Sequence, residues 1–359
     1  MTKRVFDKLL IQVPSIQLMQ DRGVDYILEN THKFDGPFLY LMGARWFEIA
    51  INSKQTFASM IEHVDLIDNA LIIMSDFAAA YPHIWRTDKN SLRERGSELL
   101  IFSDVTADLT DDLRGTLNGF DAPRYDRRSS IDFYDYGYLK SANNKNLITV
   151  PLGCGNRWVR PTLGRKPEKH ILLDEAHKIV IKNFSDKDLM YVRSFMHSLD
   201  VCKILAGRGY RISSFSRESS DFIRMVQGDY PFIELIREES WIPFNKMASY
   251  FYEMPIFYSH FQETHGYPIY ENLQAGNAVI GYAENISSEV IRTMQNGVLL
   301  SQMLSPELSA NIIDEYFDRY VKQNLQVEVA QDAARRFSCE TFTQRLIGAL
   351  ALRDWTFSG

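Results

Sequence analysis

Glu263-Thr-His-Gly-Tyr-Pro-Ile-Tyr-Glu271 continues as Asn-Leu-Gln-Ala-Gly276-Asn-Ala-Val-Ile280. An apolar, aromatic segment, Pro255-Ile-Phe-Tyr-Ser259, leads into it. A loop with two carboxylates, a Gly and a Pro then opens a helix, and Ala278-Val-Ile-Gly281 closes the unit as a short strand. The pattern predicts strand–loop–helix–strand, with acids at the strand's end and at the helix start. Ligands occupy that position in parallel α/β sheets.

The two carboxylates stand eight positions apart, across a Gly-x-Pro turn, so both can point into one crevice. A buried carboxylate is costly unless it has partners. Pro268 suits a first helical turn, and a free helix N-terminus favours an anion such as a diphosphate. Carboxylates also accept hydrogen bonds from sugar and ribose hydroxyls. The unit therefore suits a sugar nucleotide. The same spacing equally fits a solvated loop acid followed by an acid favoured by the helix dipole. Spacing alone leaves both readings open.

The second half alternates strands and helices. Strands are predicted at 171–173, 178–181, 210–215, 232–236, 255–258, 278–281 and 298–300. Helices are predicted at 188–206, 219–226, 245–252, 288–296, 305–323, 327–336 and 340–352. Such alternation argues for a parallel, doubly wound sheet. In the first half, strands are predicted at 8–13, 38–42, 70–74, 99–102 and 147–150, and helices at 17–28 and 55–67. The strands at 70–74 and 99–102 run into Ser75-Asp76 and Ser103-Asp104. That is a polar rim at the end of a parallel sheet, or two helix caps. Residues 114–146 read as a long loop with one short helix. Residues 151–167 hold three Gly, three Pro and four basic residues, the strongest domain boundary in the sequence.

At 359 residues the chain has room for two domains, each with its own core. A hydrophobic share of 45% and a charged share of 24% are ordinary for a globular protein. The net charge of −6 argues against a general nucleic-acid binder, which presents a basic face. Arg124, Arg127 and Arg128 form a local basic patch that keeps a nucleic-acid acceptor open. Cys154, Cys202 and Cys339 are far apart, odd in number and outside metal spacing, so they read as free thiols in a reducing compartment. No signal peptide is recognised, and no apolar run approaches the roughly 20 residues that span a bilayer. The expectation is a cytoplasmic protein without a membrane span, for which peripheral membrane contact stays open.

Several motifs fail on inspection. Ile171-Leu-Leu-Asp174-Glu175-Ala-His177 has the shape of a helicase-type acidic box, but no Gly-Lys pair exists to build the phosphate loop that such chemistry needs. Asp174 and Glu175 read as acids at a strand end. No G-x-G-x-x-G and no G-x-S-x-G is present. The histidines show neither H-x-x-x-H nor H-E-x-x-H, so no metal site is indicated.

The opening stretch resembles the E-x7-E signature of retaining GT-B glycosyltransferases, family 4-like, usually E-G-F-G-L-P-x-x-E-A-M-A-C-G-x-P-V-I. The likeness extends outward. Trp241-Ile-Pro with 247–252 resembles the family's G-W-V-P…L-Y passage, and 282–289 its G-G-x-P-E loop. Asn296-Gly297-Val-Leu-Leu resembles N-G-L-L-V, Arg335-Arg-Phe-Ser338-Cys-Glu resembles R-x-F-S-W-E, and Pro151-Leu-Gly153…Arg160-Pro161 resembles the interdomain linker.

The resemblance implies an α/β GT-B fold: two Rossmann-like domains, with parallel sheets facing a central cleft. It divides the chain into an acceptor-side domain at 1–155, a donor domain at 156–340, and a terminal helix at 341–359 that packs back on the first domain. It implies sugar transfer from a nucleotide-sugar donor, a UDP- or GDP-sugar, to an acceptor hydroxyl with retained anomeric configuration. No metal or further cofactor is required. By resemblance Glu263 is the catalytic-site acid that contacts donor-sugar hydroxyls, and Glu271 binds the donor ribose. His265, Gly266 and Tyr267 face the sugar or diphosphate. The family's phosphate-binding G-R…K-G after the first strand of the second domain is replaced here by a region offering Lys178, Lys182, Asn183 and Lys187, of which Lys182 and Lys187 are the candidates, with Arg217 after the next strand. On the acceptor side the candidates are Asp76, His83 and Asp104. The partners are a nucleotide sugar and a glycan or other hydroxyl acceptor. A non-catalytic sugar-nucleotide-binding subunit, an epimerase or phosphorylase of the same fold, and a transferase acting on modified nucleic acid are the rival readings. Donor sugar, acceptor and oligomeric state are not written in the sequence.

Overall fold

The computed structural model describes residues 4–12, 16–30, 33, 59–61, 68–75, 94–103, 137–140, 148–150, 156–161, 166–174, 186–216, 228–237, 242–260, 267–283, 287–351 and 355–357. The chain divides into two compact units. One is Met1–Gly155 together with Phe337–Gly359, and the other is Asn156–Arg336.

The first unit begins with β1 (Arg4–Phe6), β2 (Lys8–Gln12) and α1 (Ile16–Asn30). It continues with β3 (Ser59–Ile61), β4 (Ala70–Ser75), β5 (Glu98–Ser103), β6 (Gly137–Lys140) and β7 (Ile148–Val150). Six of these strands form a sheet in the order β3-β2-β4-β5-β6-β7. The β3-β2-β4-β5 block is parallel, whereas β6 runs antiparallel to both β5 and β7. The run Ala70-Leu-Ile-Ile-Met does not alternate with polar residues, as expected of a strand covered on both faces. Ala70 and Leu71 are fully buried. Asn69, in a left-handed conformation, turns the chain into β4, and its backbone bonds to Asp7 N and Arg95 O at 2.9 Å each.

The second unit contains β8 (His170–Leu173), α2 (Asp186–Gly207), β9 (Arg211–Ser216), β10 (Ile233–Arg237) and α3 (Phe244–Glu253). These are followed by β11 (Ile256–Tyr258), α4 (Tyr267–Gln274), β12 (Ala278–Tyr282), α5 (Ser287–Val290) and β13 (Gly297–Leu300). Then come α6 (Pro306–Lys322) and α7 (Leu325–Phe337). The six strands are all parallel, in the order β10-β9-β8-β11-β12-β13. Counted within this unit, that is 3-2-1-4-5-6, the doubly wound order whose direction of winding reverses between β8 and β11.

The core of this unit follows from its sequence. Every residue of β8, β11 and β12 is buried. Helix α6 buries Ser309, Ala310, Ile313, Tyr316, Phe317 and Tyr320, a stripe at helical spacing. Ser305 starts α6 by accepting from Leu308 N at 3.2 Å, and Pro306 occupies the first turn, where its missing N–H is harmless. Gly297 is required by close approach, because a Cβ there would lie 2.1 Å from the Val279 carbonyl oxygen on the neighbouring strand.

After α7 the chain enters α8 (Cys339–Ala351), capped by Ser338 Oγ accepting from Thr341 N at 3.1 Å, and ends in β14 (Trp355–Phe357). Helix α8 packs on β7 and β14, and β14 pairs in parallel with β1.

Four expectations from the sequence change. The helical spacing read at 55–67 includes Ser59–Ile61, which is a strand: pairing with β2 over Leu10–Gln12 outweighs a local period. The loop expected over 114–146 contains β6, whose partners are brought to it only by the fold. That strand and β7 make the first sheet mixed rather than wholly parallel. The helix expected at 288–296 is α5 alone. Asn296 folds the chain back by accepting from Arg292 N at 2.7 Å, and Met294 takes a positive φ of 65°. The segments 38–42, 178–181 and 219–226 lie outside the described residues.

Replacing Gly297 with Ala is expected to destabilise the protein by about 2–3 kcal/mol, because the obstacle is backbone and cannot rotate away. Urea unfolding of the variant beside the wild type measures it.

Candidate functional site

The reversal of winding leaves a crevice at the carboxyl ends of β8 and β11, since the connections from the two strands diverge. The residues there are Asp174, directly after β8, and Ser259 and His260, directly after β11. The backbone clamps them together. Asp174 N donates to Tyr258 O at 3.0 Å, and Ser259 N donates to Ile280 O at 2.8 Å. His260 Nε2 donates to Asp174 O at 3.0 Å, and Ser259 Oγ lies 3.5 Å from Asp174 Oδ2. A carbonyl only accepts, so this contact fixes the Nε2–H tautomer of His260. Phe195, from α2, lies against the His260 ring with centroids 5.0 Å apart. Ser259 and His260 are each 1% exposed, so their geometry is set by packing.

Helix α4 follows six residues after His260. Its first residue is Tyr267, with Pro268 in the first turn, and Glu271 lies in the second turn, 6% exposed. The far end of the helix is tightly built. Gly276, at φ 79°, ends it, with Gly276 N donating to Leu273 O at 3.0 Å and Asn277 N donating to Asn272 O at 2.9 Å. These paired bonds close a Schellman cap, which calls for glycine at the left-handed position. Asn277 Nδ2 then donates to Asn272 Oδ1 at 2.8 Å and to Phe251 O at 2.7 Å. Buried Arg160 donates to Tyr252 O at 2.8 Å, to Phe251 O at 3.2 Å and to Asn277 Oδ1 at 3.3 Å. A guanidinium placed on the last carbonyls of α3 satisfies groups that the helix leaves open and complements its dipole. The Tyr320 hydroxyl donates to Gly276 O. Helix α4 is thereby anchored at its C-terminus, and its N-terminus, at Tyr267, is the end at the carboxyl edge.

Of the residues expected from the sequence, the structure describes three. Glu271 and Tyr267 share α4, and Lys187 lies in the first turn of α2, the helix after β8 in the described chain. Glu263, His265, Gly266, Lys182, Arg217, Asp76, His83 and Asp104 lie outside the described residues. In sequence Arg217 directly follows β9, Asp76 follows β4 and Asp104 follows β5. Asp174, Ser259 and His260 form the switch-point cluster; the sequence reading placed Asp174 at a strand end and gave none of the three a part in the site. The available signal was that 171–173 and 255–258 are wholly apolar runs, each followed at once by a polar residue. Among the described residues no three His, Cys, Asp or Glu side chains converge as metal ligands. No described helix is long and apolar enough to cross a membrane.

No protein-family profile matches the chain, and no curated protein matches it. Solved structures do. HepE from Anabaena, solved with UDP-glucose, is similar with a TM-score of 0.51 at 12% identity, over 96% of this chain and 99% of that one. TarM of S. aureus is similar with a TM-score of 0.50 at 9% identity, over 78% of this chain and 54% of its own. The chain thus spans about half the length of TarM. A glycosyltransferase from Rickettsia africae is similar with a TM-score of 0.49 at 10% identity, over 97% and 99%. The fold is α/β of the GT-B class.

The amino edge of the second sheet differs in character. A cavity of about 350 Å³ opens there, lined by Arg160, Lys166, His170, Arg211 and Tyr252 among others. His170 Nε2 donates to Ser213 Oγ at 2.8 Å, and that hydroxyl donates to Glu234 Oε2 at 3.3 Å. Arg211 pairs with Glu234 at 2.9 Å, which holds the Glu234 carboxyl below its usual range. Burial, and then the Arg211 charge, push the His170 pKa below its ordinary value of 6.5. The unfolded chain therefore takes up this proton first as pH falls. The stability contributed by neutral His170 is fully present above the unfolded value and is lost as pH drops through the folded one. Unfolding free energy is expected to fall as pH drops below about 6.5, and His170→Gln is expected to flatten that slope. Urea titrations across this range check it.

Proposed function

We propose that this chain is a retaining glycosyltransferase. It transfers a sugar from a UDP- or GDP-sugar to an acceptor hydroxyl, in glycan, polysaccharide or glycoconjugate synthesis in the cytoplasm. The observation that supports the reading is the all-parallel 3-2-1-4-5-6 sheet, with α4, which carries Glu271, following β11 at its switch point. HepE, which shares the fold, was solved with UDP-glucose. In this reading the second unit binds the donor. Glu271 takes the ribose hydroxyls, and Glu263 takes hydroxyls of the transferred sugar. His265 and the amides of Gly266 and Tyr267 face the diphosphate at the start of α4. Lys182, Lys187 and Arg217 supply positive charge, so that no metal is obligatory. The first unit supplies the acceptor side, with Asp76, His83 and Asp104 after its strands.

The step is a front-face displacement. The bond from the anomeric carbon to the diphosphate oxygen breaks as the bond to the acceptor oxygen forms on the same face. The acceptor's proton passes to the departing diphosphate. Positive side chains and the helix N-terminus stabilise the charge that develops on the leaving group.

A second reading, a nucleotide-sugar-binding subunit without transfer, is favoured by one observation. The chain leaves β8 through the carboxylate Asp174, where the family that the sequence resembles carries its phosphate-binding cations.

The test is a panel of UDP-glucose, UDP-N-acetylglucosamine and GDP-mannose. A donor at 100 times its Kd is expected to stabilise the protein by about 2.7 kcal/mol. With that donor and a hydroxyl acceptor, the product should keep the anomeric configuration of the donor by NMR. Glu263→Ala and Glu271→Gln should remain folded and lose roughly 10²-fold or more in kcat/KM. Full activity in both variants refutes the assignment. Binding without transfer selects the second reading.

A further inference from the structure

We propose that His197, Tyr282 and Tyr258 form a positioning relay that holds the carboxyl end of β11, and so the start of the acidic loop, in the geometry the donor site uses. This rests on the reading of that loop as donor-binding. The relay is a chain of contacts through the core. His197 Nε2 lies 3.0 Å from Leu304 O and 3.4 Å from Ser309 Oγ. His197 Nδ1 lies 2.7 Å from the Tyr282 hydroxyl, which lies 2.9 Å from the Tyr258 hydroxyl and 3.1 Å from Ser194 O. Tyr258 is 0% exposed, Tyr282 1% and His197 8%.

The proton order follows from the ends. Leu304 O only accepts, so Nε2 carries a hydrogen, and in the neutral ring Nδ1 accepts. Tyr282 then shares its one hydrogen between Nδ1 at 2.7 Å and the weaker acceptor Ser194 O at 3.1 Å, and Tyr258 donates to Tyr282. Burial keeps the Tyr258 hydroxyl protonated by raising its pKa, with the neighbouring Tyr282 adding to the effect. A polar chain in a core is costly unless every member is satisfied, and once satisfied it selects one arrangement. This one ties together α2, the turn ahead of α6, and the last residues of β11 and β12.

Its inner end is one residue from the switch point. Ser259 and His260 directly follow Tyr258, and Ser259 N is bonded to Ile280 O beside Tyr282. Helix α2 reaches the same place a second time, through Phe195 against the His260 ring. Closing the core needs none of this, since phenylalanine fills nearly the same volume as tyrosine. The relay therefore fixes direction rather than volume, and the segment it directs begins the loop that carries Glu263.

The experiment compares wild type, Tyr282→Phe and Tyr316→Phe. Each variant loses one buried hydroxyl, but the Tyr316 hydroxyl donates to Gln295 O at 3.3 Å, ahead of β13 at the amino edge. In Tyr282→Phe the Ser259 amide should exchange with solvent roughly fivefold faster than in Tyr316→Phe. With the donor that stabilises wild type most, kcat should fall roughly tenfold in Tyr282→Phe while the Kd for UDP or GDP stays unchanged. Tyr316→Phe should keep both. If Tyr282→Phe does not fold, His197→Gln is read in the same way. Equal Ser259 protection in the two variants, or a wild-type kcat in Tyr282→Phe, overturns the proposal. Faster Ser259 exchange in a protein that binds no donor refutes the donor-site reading instead and leaves the hold on β11 standing.

Discussion

The second unit depends on the pairing of β8 with β11, in which Ile171, Leu172 and Leu173 face Ile256, Phe257 and Tyr258. Both strands are fully buried, and both are central. Continuous apolar strands of this kind are stable only when helices cover both faces. The connections on either side must therefore wind in opposite directions, and they part at the carboxyl ends of the two strands. The crevice is thus a consequence of burying six parallel strands, and its position follows from the strand order. What lines it is decided by the residues that follow Leu173 and Tyr258, namely Asp174, Ser259 and His260.

Buried polar groups then limit how the crevice can deform. At the amino edge, Arg160 and Asn277 lock the end of α3 to the end of α4. At the carboxyl edge, His197 and the two tyrosines lock α2 to β11 and β12. Removing one member of such a network strands its partners without water, which costs about 1–3 kcal/mol per group. Each network therefore favours one arrangement over its near alternatives. The same logic explains the neutral His170, where burial beside Arg211 disfavours a second positive charge.

The strands and helices of the second half were largely legible because their patterns are local. The run 171–173 and the helices at 188–206 and 305–323 show periods that belong to one element, and the structure places them within a few residues of the expected ends. Gly276 was legible as part of a motif, and its left-handed conformation supplies the reason. The misses share a cause. Ser59–Ile61 and Gly137–Lys140 are strands because distant strands pair with them. The helix expected through Asn296 stops early because the Asn296 side chain bonds Arg292 N and competes with the helix.

The fold class was readable from local sequence. Apolar runs alternating with helical periods, and two acids spaced across a Gly-x-Pro turn, are properties of neighbouring residues. It took the folded chain to make β8 and β11 adjacent, to bring Asp174 to His260 across 86 positions, and to bring His197 to Tyr282 across 85. Those contacts are hydrogen bonds between residues far apart in sequence. They are specified by how the whole sheet is buried, and no local pattern encodes them.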